Sequence, residues 1–276
     1  MLIHALIVIL VRSFCTEGCS CDNVLKSVDC SSKSLTNQAI LSILDIISLS
    51  VNSIASAQAT KSLDLSNNML SSLNQDMFAL FVNLEYLDLS MNQIGFIEEG
   101  LFQSLTKLKE IKLSNNLLFS LNKNHLDGLV SLETLHLNNN LFAQINDYAF
   151  TNLNASFNYL DVSDNQFSTV NKFVFNGLSN LTDLKLSNNL ILTIEDDSFQ
   201  TLNNLERLDL SVNRLEAVNK NTFNGLKNVQ EINLSFNNIN EIDVTSLSYL
   251  DNLNDLNLNQ NPINGVYLNI ECSSKE

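Results

Sequence analysis

Apolar and polar residues alternate in a short segment that recurs through most of the chain. In the segment that begins at Leu84, apolar residues fill the first, fourth, sixth and eleventh positions and asparagine fills the ninth. Alternation with a period of two is typical of a β-strand with one buried face. Each recurrence therefore predicts one short strand whose leucines point inward.

The segment returns at an almost constant spacing. Successive starts lie 24 residues apart, except for one step of 25 between Leu132 and Phe157. We number the repeats 1 to 9 from their starts at Thr60, Leu84, Leu108, Leu132, Phe157, Leu181, Leu205, Val229 and Leu253. A unit of this length cannot bury its apolar face alone, so the period predicts a solenoid in which each repeat stacks on its neighbours.

Two further columns indicate the interior of the solenoid. The ninth position is asparagine in every repeat, and we interpret this column as a buried ladder that bonds backbone groups of adjoining turns, since buried amides need partners. The nineteenth position is an aromatic or leucine spine on the convex side; it holds Phe78, Phe102, Leu126, Phe150, Phe175, Phe199, Phe223 and Leu247. The Asn-Gly steps that end at Gly177 and Gly225 predict turns.

With these motifs, residues 60–263 resemble the extracellular leucine-rich-repeat family of the 24-residue type. The resemblance implies an α/β horseshoe solenoid with a parallel β-sheet on its concave face and short or irregular helical segments on its convex side. It also implies a likeness to the ectodomains of Toll-like and adhesion proteins.

The N-terminus predicts secretion. Residues 2–11 form an apolar run of about the length of a secretory h-region, and small residues permit cleavage after Ser13, although no basic residue precedes the run. A membrane span needs roughly 20 apolar residues, so this run is too short to be one, and no membrane span is expected. We predict a signal peptide over residues 1–13 and an extracellular protein.

Four cysteines follow directly, within residues 14–35. In a secreted chain they predict two disulfides, for which spacing alone allows three connectivities; a four-cysteine zinc site is the alternative, but the paired CxxC spacing is missing. The cluster resembles the N-terminal cysteine-rich cap of the family, and that resemblance implies that Cys15 pairs with Cys21 and Cys19 with Cys30.

Both ends of the repeat region depart from the family pattern. Residues 36–59 are predicted to be an irregular first repeat, and residues 264–276 lack the further cysteines of the family's C-terminal cap. Alternating Val266, Leu268 and Ile270 could cover the last repeat as an edge strand. Alternatively, the open end forms a homodimer with Cys272 as an intermolecular disulfide, or the chain is a shortened relative of a membrane receptor.

Composition and motifs narrow the function. Thirty acidic and fifteen basic residues give a net charge of −15, which argues against nucleic acid and against an anionic membrane surface as partners. Nucleotide-binding, zinc-protease and serine-hydrolase motifs are missing from the sequence. A catalytic pair of His136 with a carboxylate can be drawn, but an open surface lacks the enclosed pocket that catalysis needs. We therefore expect no enzyme, no cofactor and no metal site.

The outward positions of the strands predict a binding surface. The third, fifth and eighth positions of the repeats hold nine acidic and three basic residues, so the concave face is acidic and suits a protein or a surface polymer with a basic patch. Exposed aromatic and apolar anchors dominate interface energies. The predicted contact residues are Tyr86, Met91, Glu110, Lys112, His136, Tyr159, Asp161, Asp183, Lys185, Arg207, Val212 and Phe236.

Three sequons predict N-glycosylation, at Asn154, Asn180 and Asn233. A glycan at Asn233 would project from the concave face and shield Phe236. The chain is thus expected to be a secreted, non-enzymatic binding protein, and the resemblance implies innate recognition or cell adhesion. The alternatives are a structural subunit of the extracellular matrix or of a complex, and a soluble form of a leucine-rich-repeat receptor.

Overall fold

The predicted solenoid is present in the computed structural model of the chain, which describes residues 19–22, 26–36, 57–153 and 155–267. Its strands are β1 Ser20–Asp22, β2 Ser27–Asp29, β3 Ser62–Asp64, β4 Tyr86–Asp88, β5 Glu110–Lys112, β6 Thr134–His136, β7 Tyr159–Asp161, β8 Thr169–Val170, β9 Asp183–Lys185, β10 Thr193–Ile194, β11 Arg207–Asp209, β12 Ala217–Val218, β13 Glu231–Asn233, β14 Glu241–Asp243, β15 Asp255–Asn257 and β16 Gly265–Tyr267. Short 3-10 helices cover Gln75–Met77, Lys123–Leu126 and Val244–Leu247.

One sheet of eleven strands forms the concave face, in the order β1-β2-β3-β4-β5-β6-β7-β9-β11-β13-β15. From β2 onward neighbouring strands are parallel and in register, so that each repeat position faces the same position of the next repeat. The prediction of one strand per repeat and of a parallel concave sheet is confirmed.

The strands are short because the chain turns at the eighth position of every repeat. All nine residues there have a left-handed backbone, with φ between 52° and 60°. Asparagine and aspartate tolerate this conformation better than most residues, and they fill five of the nine positions. The turn directs the next residue, the ladder asparagine, back into the core.

The asparagine ladder is confirmed. Asn140, for example, donates from Nδ2 to the carbonyls of Leu113 (2.9 Å) and Leu137 (3.0 Å), and its Oδ1 accepts from the amide of Leu118 (3.0 Å). The same three bonds recur along the column. Each asparagine therefore ties its own repeat to the preceding one.

The core lies between the sheet and the convex side. The leucines of the motif and the phenylalanine spine are almost completely buried, and stacked rings such as Phe175 and Phe199, with centroids 6.0 Å apart, confirm the spine. The exceptions lie at the C-terminal end. Leu247 of repeat 8 and Leu253, Leu256 and Leu258 of repeat 9 are half-buried, because within the described residues no further repeat packs on repeat 9.

Two small sheets outside the concave sheet were not predicted. β8 pairs with β10, and β12 pairs with β14 and β16, all in parallel. Each of these strands has only two or three residues, too few for a period-two pattern to stand out. Among the described helices, none has the length and the apolar character needed to cross a membrane.

A hairpin forms the N-terminal end of the sheet. β1 and β2 are antiparallel, and β2 then continues the parallel sheet against β3. Cys19 and Cys30 form a disulfide, as the resemblance implied, so these two sulfurs are not available to a zinc ion. The other predicted pair, Cys15 with Cys21, involves side chains outside the described part of the chain.

At the other end, the predicted edge strand takes a different place. Val266 lies in β16, which continues the small sheet by pairing with β14 and leaves β15 as the last described strand of the concave sheet. Leu268, Ile270 and Cys272 lie outside the described residues, so the proposed dimer through this end stays a prediction.

Candidate partner-binding face

The parallel register brings the predicted contact residues into rows on the concave face. Third positions of consecutive repeats, such as Glu110, Thr134 and Tyr159, lie side by side, and so do fifth positions such as Lys112 and His136. Residues 24 or 25 apart in sequence therefore become neighbours. The surface is a grid whose columns the sequence predicts directly.

Near the middle of the grid, five of the predicted residues form a central cluster: Glu110, Lys112, His136, Tyr159 and Lys185. Lys185 Nζ lies 5.5 Å from the Tyr159 ring centroid, and the His136 ring lies 5.1 Å from that of Tyr159. Glu110 Oε1 lies 3.4 Å from Lys112 Nζ and 3.6 Å from His136 Nε2. Attraction between a cation and the ring face holds Tyr159 in place, as a partly exposed aromatic anchor.

Burial decides the charge of the cluster. It lowers the pKa of His136, and this effect outweighs the opposite influence of Glu110 and Asp161, so the imidazole is neutral at pH 7. The hydrogen bond with Tyr159 raises the pKa of Lys185, which stays cationic. The two lysines then offset Glu110 and Asp88, whose Oδ2 lies 3.8 Å from Lys112 Nζ, so the centre is less acidic than the rest of the concave face.

The prediction that Asp161 faces solvent is wrong. It is buried, and its Oδ1 accepts from the amide and the hydroxyl of Ser163, at 3.0 and 2.6 Å. Asp209 makes the same two bonds with Ser211, and Asn233 makes them with Ser235. Where the fifth position is aspartate or asparagine, its side chain therefore ends the strand with a local turn, which is a structural role that a carboxylate and an amide serve equally.

Toward the C-terminal end, the concave face contains a groove of about 290 Å³. Its lining includes Asp209, Glu231 and Asp255, none of which forms an ion pair within the described residues. Asp183 is different: Arg207 binds its carboxylate through two nitrogens, with 2.7 Å between Nη2 and Oδ2. We call Asp209, Glu231 and Asp255 the acidic groove; Lys185 and Arg207 also line it, so its four acidic and two basic side chains leave a net charge of −2.

Four predicted apolar or aromatic anchors lie on the exposed surface. Tyr86 is exposed on β4, whereas Met91, Val212 and Phe236 occupy eighth positions at the edge of the concave face. Phe236 is 59% exposed. A β-branched residue in a left-handed turn, as at Val212, is a strained arrangement. About half of each of these four side chains stays exposed, which is why they remain candidate contacts.

Two of the three sequons lie on the described surface. Asn180 Oδ1 accepts from Asn204 Nδ2 at 3.2 Å, and Asn233 Oδ1 accepts from Ser235. In both asparagines the glycan-bearing atom, Nδ2, has no hydrogen bond to a described residue, in contrast to Nδ2 of the ladder asparagines. Asn154 lies outside the described residues.

A charged triplet lies at one edge of the sheet. Glu85 accepts from Lys61 through Oε1 and from Lys109 through Oε2, the latter at 2.9 Å. Both hydrogen bonds, and then the positive charges, lower the pKa of Glu85 from its ordinary 4.5 to about 2.

Within the described residues no three His, Cys, Asp or Glu side chains cluster as metal ligands would.

This triplet makes stability depend on acid. Because the folded-state pKa lies below the unfolded-state value, Glu85 contributes stability above pH 4.5 and loses it as the pH falls toward 2. The lysines are exposed, so we expect the contribution to be about 1 kcal/mol or less. Urea unfolding at pH 5 and pH 2.5 should show a smaller loss for Glu85→Gln than for the unchanged chain. Lys61→Met with Lys109→Met should give the same reduction; an unchanged loss in both variants would contradict the assignment.

The chain is similar in sequence to a known repeat family and in structure to several solved proteins. The sequence model for the leucine-rich repeat matches residues 41–94, 82–142, 155–215 and 204–263. No curated protein matches the chain. Among solved structures, the chain is similar to one in the complex of TLR13 with the RNA ssRNA13, with 31% identity and a TM-score of 0.71 over 75% of this chain and 30% of that one.

Two further structures share the fold at lower identity. A chain in the octameric complex of Latrophilin 3, Unc5D and FLRT2 has 22% identity and a TM-score of 0.70, over 89% of this chain and 84% of that one. A chain in the Drosophila Toll–Spätzle complex has 23% identity and a TM-score of 0.63, over 77% and 33%. The chain thus spans about a third of the TLR13 and Toll–Spätzle chains. Since TLR13 is in complex with RNA, these likenesses do not support the exclusion of nucleic acid that the net charge suggested.

Proposed function

The chain belongs to the leucine-rich repeat family, and from this premise we propose that it is a non-enzymatic binding module that recognises a protein or a surface polymer through its concave face. The acidic groove is the observation that carries the proposal. Its three carboxylates come from three adjacent repeats and form no direct ion pair, and the groove keeps a net charge of −2 because four acidic side chains outnumber Lys185 and Arg207 in its lining. Surface charge of one sign favours a partner of the opposite sign.

The central cluster supplies the second element of the surface. Tyr159 is held between His136 and Lys185, so little side-chain freedom is lost when a partner packs on its ring. We propose that a partner places a basic segment in the acidic groove and an apolar or planar group on Tyr159. The same reasoning favours protein over nucleic acid, whose phosphates the groove would repel.

We propose an extracellular location as well. The apolar run at residues 2–11, the disulfide of Cys19 with Cys30 and the accessible sequon amides at Asn180 and Asn233 all support it. One of the similar structures, the Toll–Spätzle complex, is described as a molecular hub in development and innate immunity, and another contains FLRT2 together with Latrophilin 3 and Unc5D. By that analogy we place the protein in innate recognition or cell adhesion, with 14–35 as its N-terminal cap and 60–263 as its repeat region.

Binding of a labelled lysine-serine peptide tests the groove. The variant Asp209→Asn, Glu231→Gln, Asp255→Asn removes three charges, and the turn at position 209 should survive because Asn233 makes the same bonds. We expect affinity to fall by about tenfold or more, and to fall for the unchanged chain as salt rises, because screened surface pairs contribute up to about 1 kcal/mol each. Fluorescence anisotropy measures both effects.

A second triple variant serves as the matched control. Asp147→Asn, Glu216→Gln and Glu241→Gln remove the same charge from exposed positions outside the concave face. Affinity should change less than threefold. Equal losses in the two variants would mean that the peptide senses only net charge, and tighter binding of single-stranded RNA than of the peptide would overturn the proposal in favour of nucleic acid.

A further inference from the structure

One flank of the solenoid has a composition unlike the rest of the surface. It consists of positions 10, 12 and 13 of repeats 1 to 6, where the chain leaves the concave sheet, and we call it the apolar flank. None of these positions holds Asp, Glu, Lys or Arg, although the chain as a whole carries 45 such residues. Charge returns only in repeat 7, with Arg214 and Glu216.

The flank also exposes large apolar side chains. Its principal members are between 42% and 59% exposed: Met69, Phe96, Leu117, Phe119, Leu141 and Leu192. Isolated exposed apolar residues are ordinary, whereas a contiguous patch without charge is typical of a protein interface. The strand positions do not predict these residues as contacts, because the flank begins where the strands have ended.

Backbone hydrogen bonds hold the flank positions of successive repeats together, and the resulting strip is uncharged throughout, with repeat 5 contributing the polar residues Gln166, Ser168 and Thr169. The amide of Leu117 donates to the carbonyl of Ile94 (2.9 Å) and that of Leu141 to Leu118 (2.8 Å), so tenth positions of successive repeats are held side by side. Six repeats at about 4.8 Å give a strip about 25 Å long. At roughly 200 Å² for a full large side chain, the six principal residues expose about 600 Å². With the small residues between them, the strip approaches the ~800 Å² that each partner buries in a stable complex.

We propose that the apolar flank binds the same flank of a second copy of the chain, in a two-fold dimer whose axis passes between repeats 3 and 4. A two-fold contact must be self-complementary, and such an axis sets repeat 1 against repeat 6, repeat 2 against repeat 5 and repeat 3 against repeat 4. Large side chains then meet small or matching ones. The facing pairs are Phe119 with Ala143, Leu117 with Leu141, Met69 with Leu190, Leu192 with Ser71, Phe96 with Thr169 and Gln93 with Gln166.

Charge supports a second copy as the occupant. Two chains of net charge −15 repel each other over most of their surfaces. Contact through this flank avoids that repulsion locally, because the flank positions carry no charged side chains. The sequons at Asn180 and Asn233 are also off the flank. The dimer leaves both concave faces open, so it does not depend on the proposed function.

Sedimentation velocity of the full secreted chain tests the dimer. The substitution Cys272→Ser is used throughout, so that a disulfide through that residue cannot contribute. We expect a concentration-dependent dimer that becomes tighter between roughly 0.1 and 0.5 M salt, because screening weakens the repulsion between the chains. Phe119→Asp should weaken it at least tenfold. Phe236→Asp, at a side chain with the same 59% exposure but on the concave side, should change it less than twofold.

Cross-linking tests the proposed axis separately. A mixture of Phe119→Cys and Ala143→Cys chains should form a mixed disulfide faster than a mixture of Phe119→Cys and Phe236→Cys chains. Circular dichroism and melting temperature confirm that each variant folds. A monomer at all concentrations, a dimer indifferent to Phe119→Asp, or equal cross-linking in the two mixtures would each overturn the proposal.

Discussion

Replacing Asn140 with alanine should destabilise the solenoid by about 4 kcal/mol. The substitution removes the partner of the Leu118 amide and one partner each of the Leu113 and Leu137 carbonyls, all in the interior of the solenoid. A buried polar group left without a partner costs roughly 1–3 kcal/mol. Alanine has no polar group that could replace the side-chain amide. Because Asn140 links repeats 3 and 4, the loss weakens their interface as well as one turn.

Urea denaturation followed by far-ultraviolet circular dichroism measures this effect. The neighbouring residue provides the control: Asn139→Gly removes an exposed asparagine and keeps a residue suited to its φ of 55°. This variant should lose about 1 kcal/mol or less. Similar losses in the two variants would show that the ladder bonds carry little stability.

The end of the ladder should be less sensitive than its middle. Asn261 makes the corresponding bonds with Leu234, Leu258 and Ile239, but it is only half-buried in repeat 9. Water can replace some of the hydrogen bonds that the backbone groups lose when Asn261 is substituted. In an array whose stability is a sum over neighbouring interfaces, Asn261→Ala should therefore cost about half as much as Asn140→Ala.

The columns of the repeat explain why so much of the fold was predictable. When a residue type recurs at one position in nine repeats, the two adjacent repeats determine its environment. The core positions of Leu87, Asn92 and Phe102 could therefore be predicted from the spacing alone. The same property placed the third and fifth positions on the concave face. Prediction succeeded wherever the environment depends on the repeat and on nothing else.

The sequence predicted less where a side chain had two roles available. Asp161 occupies an outward column, but its carboxylate turns back to Ser163 and is buried, because a local hydrogen bond competes with solvent. The ion pair of Arg207 with Asp183 likewise depends on side-chain conformation. The acidic groove consists of concave carboxylates that form no such ion pair. Its members could be identified only from the structure.

Replacing Gly128 with alanine should cost about 3–4 kcal/mol, and should do so through the backbone of another repeat. A Cβ at this position would lie 2.4 Å from Gln103 Cα and from the Phe102 carbonyl oxygen, and the φ of +94° is one that side-chain-bearing residues rarely adopt. Neither contact involves a flexible side chain, so repeats 2 and 3 must move apart. Strain of this kind typically costs 1–3 kcal/mol from conformation and as much again from overpacking.

The other glycines supply graded controls. At Gly177, which the sequence identified as a turn, the nearest backbone atom would be 2.9 Å away, so Gly177→Ala should be destabilising by less than Gly128→Ala. Gly95 has 3.8 Å of space and no left-handed backbone, so Gly95→Ala should change stability by less than about 0.5 kcal/mol or increase it slightly. Thermal unfolding of the three variants should follow that order, because the size of the gap to the preceding repeat, more than glycine itself, sets the cost. Equal effects at Gly95 and Gly128 would mean that the repeats are not packed against each other at the convex turn.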